Sequence, residues 1–148
     1  MKTTFLIISL FVGPCIAVRA GTAEEKAFTD KYKSAFETKD AATLHLFLHT
    51  QGADPGIVEF FKMMQTGEIG GKVSKIELVD LSPEDVKKAA APQDSPGGEK
   101  VCLTLKPSKK LVYSIEQKNS QGSSTSTTEN MVAEKDGKFV IPVPSPCK

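Results

Sequence analysis

Residues 100–143 read KVCLTLKPSKKLVYSIEQKNSQGSSTSTTENMVAEKDGKFVIPV. Their alternation decides the fold. From Lys100 to Lys106, Val101, Leu103 and Leu105 fall on every second position, the period of a strand with one buried face. Pro107-Ser108-Lys109 turns the chain, and Leu111, Tyr113 and Ile115 repeat the period. Ser120 to Thr128 holds only Ser, Thr, Gln and Gly. Threonine suits strands, so this stretch is predicted as a polar edge strand or hairpin rather than a disordered linker. Met131, Val132 and Ala133 rejoin the core, Asp136-Gly137 is a hairpin turn, and Phe139, Ile141 and Val143 form the last strand. Pro142, Pro144 and Pro146 forbid a long central strand there.

Upstream the period changes to that of helices. Thr22-Ala23-Glu24-Glu25 is a capping box, and Phe28, Tyr32, Ala35 and Phe36 make one apolar stripe, predicting a helix over 23–39. Asp40 caps a second helix from Ala41 to His49, buried through Leu44, Phe47 and Leu48. Asp54-Pro55 starts a third, with Ile57, Val58, Phe60, Phe61 and Met64 on its apolar side and Gly67 in the left-handed position that ends it. Lys72 to Leu81 reads as a strand, and Ser82-Pro83-Glu84-Asp85 opens a short helix that stops before Pro92. Residues 92–98 form a loop. Helices followed by an antiparallel meander define an α+β class, with N-terminal helices packed on a curved antiparallel sheet as a single domain over 21–148.

Composition narrows the function. The 148 residues are 39% apolar and 25% charged, ordinary for a globular chain, and the formal net charge is +1. That balance gives no argument for nucleic acid. With two His and three Cys, a Cys/His metal site is short of ligands, and neither a metal nor a cofactor is expected. Met1-Lys2, the apolar run Phe5–Val12, the break at Gly13-Pro14 and the small-residue end Val18-Arg19-Ala20 follow the order of a secretory leader cleaved after Ala20. The 14 residues from Phe5 to Val18 contain Pro14 and fall short of the roughly 20 that span a bilayer. Cys15 follows the apolar run where bacterial lipoproteins are acylated, but Pro14 directly before it fits poorly, so a lipid anchor is the lesser alternative. Cleavage removes Lys2 and Arg19, turning the net charge of +1 into −1, and leaves Cys102 and Cys147. An even count in a secreted or periplasmic protein points to a bridge between them, the alternative being two free thiols.

The early helices around Lys39-Asp40-Ala41-Ala42, the Pro-started helix and the closing segment Val132-Ala133-Glu134-Lys135-Asp136-Gly137-Lys138-Phe139-Val140-Ile141 resemble the nuclear transport factor 2-like superfamily, also described as cystatin-like or SnoaL-type. Members often end with an apolar strand, an acidic-glycine turn and Lys-Trp-x-Ile; Phe139 stands where the Trp is common. The likeness covers most of residues 22–143, and the layout is similar to that of small exported members without an assigned role. It implies a cone, in which a bent sheet wraps helices around an apolar pocket. The superfamily's isomerases, cyclases and dehydratases place Asp or His, sometimes with Tyr, in that pocket. None of their catalytic motifs can be placed on this chain, so no catalytic residue is transferred.

Individual residues leave alternatives. His45 and His49 have the i, i+4 spacing of metal ligands, with Asp54 or Glu59 as a third, but lack the H-E-x-x-H pattern; solvated or capping histidines are the better reading. Tyr32 and Tyr113 either turn hydroxyls into a pocket or, more commonly, are core-edge aromatics whose hydroxyls reach water. Phe60-Phe61, Met63-Met64, Phe36 and Phe139 either line a cavity or simply pack. The leading expectation is an exported, non-catalytic domain that binds an apolar small molecule or an envelope protein. The alternatives are a small pocket enzyme of the isomerase, cyclase or dehydratase type, drawing on Asp54, His45, His49 or Tyr113, and a structural subunit dimerising through its sheet.

Overall fold

The computed structural model describes residues 21–120 and 122–148. The leader, its cleavage point and Cys15 lie outside the described residues. Helix α1, Ala23–Glu37, starts at the capping box: Glu25 N–H donates to Thr22 Oγ1 (3.2 Å) and Thr22 N–H to Glu25 Oε2 (3.1 Å). It stops two residues earlier than its pattern suggests, because Lys39 takes a left-handed conformation (φ 62°). Lys39 N–H then reaches the Phe36 carbonyl (3.4 Å) and Asp40 N–H the Ala35 carbonyl (2.8 Å), a Schellman closure with lysine in the place usually held by glycine.

The second helix is a correction. α2 spans only Ala41–His45, and Leu48–His49 form a short strand, β1. The carbonyls of Phe47 and His49 accept from Ile141 N–H (2.7 Å) and Val143 N–H (3.1 Å), so this backbone is satisfied by a parallel strand instead of a helical turn. The extended path also brings the Phe47 ring to 5.1 Å from Phe28 and 5.3 Å from Tyr32. Helix α3, Pro55–Thr66, is capped by Asp54, whose Oδ1 accepts from Gly56 and Ile57. Gly67 (φ −59°) is not left-handed; the reversal comes at Gly70 (φ 89°), whose N–H donates to the Phe36 carbonyl.

Strand β2, Lys72–Asp80, leads to α4, Pro83–Ala90, which opens on a Ser82–Asp85 capping box. The remaining strands are β3 Gln93–Asp94, β4 Lys100–Leu103, β5 Lys109–Asn119, β6 Gly122–Lys135, β7 Lys138–Pro142 and β8 Pro144–Pro146. They make two sheets rather than one meander, a larger curved one ordered β1-β7-β6-β5-β2 and a small one ordered β3-β4-β8. Val101, Leu103 and Leu105 therefore do not extend the main sheet. The proline-spaced end of the chain is why: β7 ends at Pro142, and β8 pairs with β4. Cys102 faces Ser145 in that pairing and bonds to Cys147, with Cα atoms 5.0 Å apart. Such a bridge belongs with a non-reducing compartment.

The polar stretch 120–128 is the turn and second arm of a long hairpin, paired along β5 from Asn119↔Gly122 to Lys109↔Val132. Asp136 and Gly137 both have positive φ (52° and 72°), as a two-residue turn of type I′ requires. β7 pairs with β6 only from Ala133 to Lys135, then parts from it to meet β1. Among the described residues, the stretch of β6 before Val132 therefore has a strand on one side only. β2, the outer strand of the other margin, is interrupted by a bulge between Val73 and Lys75, and Glu37 Oε1 accepts from Val73 N–H (2.9 Å). The core lies between α1 and the sheet, where Phe28, Tyr32, Ala35 and Phe36 meet Val73, Leu111, Tyr113 and Ile115.

Candidate functional site

Cross-strand register carries one row of side chains across the inner face: Ile76, Tyr113 and Thr128. The next rows are Leu78–Leu111–Asn130 and Val73–Ile115–Ser126. The inner face is thus apolar on β2 and β5 and polar on β6. Where β7 leaves β6, Tyr113, Thr128 and Asn130 of these rows border, with α3, a cavity of about 50 Å³. Tyr32, Gln65, Tyr113, Thr128 and Asn130 supply its polar walls, and Leu48, Phe61, Met64 and Ile141 its apolar ones.

Two buried polar atoms here have no hydrogen-bond partner, Tyr32 Oη and Gln65 Oε1. Tyr32 is fully buried, and Gln65 is the buried residue of α3. Gln65 Nε2 donates to the Leu44 carbonyl (3.0 Å), which fixes the amide so that its oxygen is the free end. A buried group left without a partner costs about 1–3 kcal/mol, so a polar group that met either atom would be favoured. The roof packs on the core through Ile57, Val58 and Phe61 and is open at its methionines. Met63 and Met64 are 61% and 63% exposed, and Ile57, Val58, Phe60 and Phe61 are only half-buried.

Four of the residues singled out from sequence line this cavity: Tyr32, Phe61, Met64 and Tyr113. Phe36 packs edge-on against Tyr113 (5.7 Å) in the core, Phe60 lies beside Phe61 (6.5 Å), and Phe139 meets Phe28 (5.8 Å). The Tyr32 hydroxyl does not reach water, contrary to the commoner expectation, because Phe47 and Tyr113 close over the ring. His45 sits on α2 and His49 on β1, so their helical spacing does not exist. Among the described residues no group of three or more His, Cys, Asp or Glu is arranged to hold a metal ion. Asp54 is exposed and engaged as a helix cap, and Glu59 pairs with Lys62 (2.7 Å). Gln65, Thr128 and Asn130 escaped the sequence reading, though each carried a signal. Gln65 follows Phe61 by four on the apolar side of α3, and Thr128 and Asn130 precede Val132 by even steps.

Burial is the main reason that the Tyr32 phenol holds its proton far above the usual tyrosine range; Tyr113 adds to the effect and Gln65 opposes it. Both stand near enough to bias ionisation, yet neither meets the distance and angle of a hydrogen bond to Tyr32 Oη. Tyr113 is raised too, by burial first, with Tyr32 and Thr128 opposing. In the unfolded chain both phenols ionise near pH ~10. The folded state binds these protons more tightly, so this contribution to stability is complete below about pH 10 and falls away as pH rises beyond it. The chain has two Tyr and no Trp, so its phenolate absorbance reports on this site alone. In an alkaline titration that absorbance should rise only together with the loss of far-ultraviolet dichroism. Ionisation of either phenol at the ordinary pH in a still-folded protein would contradict the burial.

Two other hollows are different in kind. A cleft of about 780 Å³ between the start of α1 and β2 is crossed by Lys109, which pairs with Glu25 (2.9 Å) and Asp80 (2.7 Å). A groove of about 300 Å³ under α4 is apolar, through Leu81, Val86, Leu103 and Leu105. No helix among the described residues is long and apolar enough to cross a membrane. No family model, no curated protein and no solved structure matches the chain.

Proposed function

We propose that this chain is an exported, non-catalytic domain of nuclear transport factor 2-like layout that takes an apolar small molecule between α3 and the open side of the large sheet. One observation carries the reading. A cavity with unpartnered buried polar atoms lies beneath a helix whose methionines Met63 and Met64 are exposed and whose other apolar side chains are half-buried. Such a roof yields readily, since flexible methionines adapt to irregular shapes. The sequence order of the leader and the Cys102–Cys147 bond support export. Binding is favoured over turnover because the described lining contains no carboxylate or imidazole, and its two phenols hold their protons at neutral pH.

The test is titration of the disulfide-bonded protein with a neutral, apolar fluorescent dye, N-phenyl-1-naphthylamine. Saturable uptake at one site is expected, weakened about tenfold or more by Met64→Arg, which sets a charge in the apolar entrance. Val86→Arg, in the groove under α4, should leave it unchanged. Dye uptake that is absent, or that follows Val86 instead of Met64, would remove the proposal.

A further inference from the structure

We infer that the ligand is a neutral alcohol that enters hydroxyl first, its hydroxyl lodging between Tyr32 Oη and Gln65 Oε1. The inference rests on the cleft-binding reading above and adds the chemical class. Gln65 Oε1 is an acceptor whose orientation is settled by the Leu44 bond, so whatever meets it must donate. Tyr32 Oη carries a hydrogen with no acceptor, so the same visitor must also accept. A ketone answers Tyr32 alone and sets a lone pair against the amide oxygen. A carboxylate does the same and brings a charge into a lining without a cation, and an ammonium has no lone pair with which to accept from Tyr32. A hydroxyl supplies one donor and two lone pairs, as water does, and unlike water it brings a hydrocarbon tail for the apolar entrance to hold. Size matters here, because about 50 Å³ holds no more than a few water molecules. Thr128 and Asn130 stand on the same wall as further polar neighbours, while the hydrocarbon tail leaves past Phe61 and Met64.

The experiment displaces the bound dye from the full disulfide-bonded protein with decanol, decanoate and the methyl ketone of the same chain length. Decanol is expected to act at about tenfold lower concentration than either competitor, the ratio that one well-made hydrogen bond produces. Gln65→Leu should bring decanol level with the ketone while dye uptake persists. Tyr32→Phe, which deletes a buried hydroxyl without a partner and leaves the ring, should narrow the preference without loss of folding. Equal displacement by all three, or preference for the ketone or the acid, overturns the hydroxyl assignment and leaves the cleft reading standing. A protein that takes up no dye overturns both.

Discussion

Phe36→Ala is expected to remove about 3–5 kcal/mol of stability, a large part of the 5–15 kcal/mol that domains typically possess. The side chain is 1% exposed, with its ring edge-on to Tyr113 at 5.7 Å. Its surroundings have little freedom to collapse into the space. A Cβ built on Gly71 would already stand 2.5 Å from Ile115 Cγ2 and 3.9 Å from the Phe36 ring, so the backbone there is pressed against the core. The Phe36 carbonyl also takes the N–H of Gly70 at 2.8 Å, which ties the turn after α3 to the same point of α1. Urea unfolding followed by far-ultraviolet dichroism measures the effect. A loss below about 1 kcal/mol would mean that α1 is not the centre of the core.

Breaking the bond between Cys102 and Cys147 should cost a similar amount, about 4 kcal/mol in the chain-entropy account of a 45-residue separation. The origin is different. Phe36 acts on the folded state, whereas the bridge acts mainly by restricting the unfolded chain. The double variant Cys102→Ser, Cys147→Ser should lower the unfolding free energy read from urea titration by that amount and move the midpoint down accordingly. The local response should fall on β8, which the small sheet holds only through β4 and the Cys147 N–H bond to the Lys100 carbonyl (3.1 Å). Amide exchange should therefore quicken at positions 145 and 147, the two in that segment with an N–H, before it does in β5. An unchanged midpoint with and without reductant would show that the unfolded chain gains nothing from release.

Local chemistry made much of this architecture readable. Thr22 with Glu25, Asp54 with Pro55 and Ser82 with Asp85 marked three helix starts, since a cap is settled by residues three or four apart. Asp136-Gly137 marked its hairpin for the same reason. What stayed hidden depends on residues far away in the chain. Phe47 to His49 look helical until Ile141 and Val143 offer their N–H groups, and Val101 to Leu105 look like part of the meander until Pro144–Pro146 claims that strand. The same division holds at the site. Tyr32, Phe61, Met64 and Tyr113 could be singled out as large residues on apolar faces, whereas Gln65 counts only because its amide finds the Leu44 carbonyl, 21 positions away. Lys39 is a further case, a left-handed lysine where the pattern simply continued the helix.

The long arm of β6 before Val132 bears on how the molecule keeps company at high concentration. A bare strand margin of this length ordinarily invites a neighbour to stack alongside and start a fibre. Here Ser123, Ser124, Thr125 and Thr127 are exposed along that margin. A newcomer would have to strip water from their hydroxyls and would gain no dry, greasy seam in return. The opposite margin is broken by its bulge; this one is guarded by staying wet, which disfavours lateral growth.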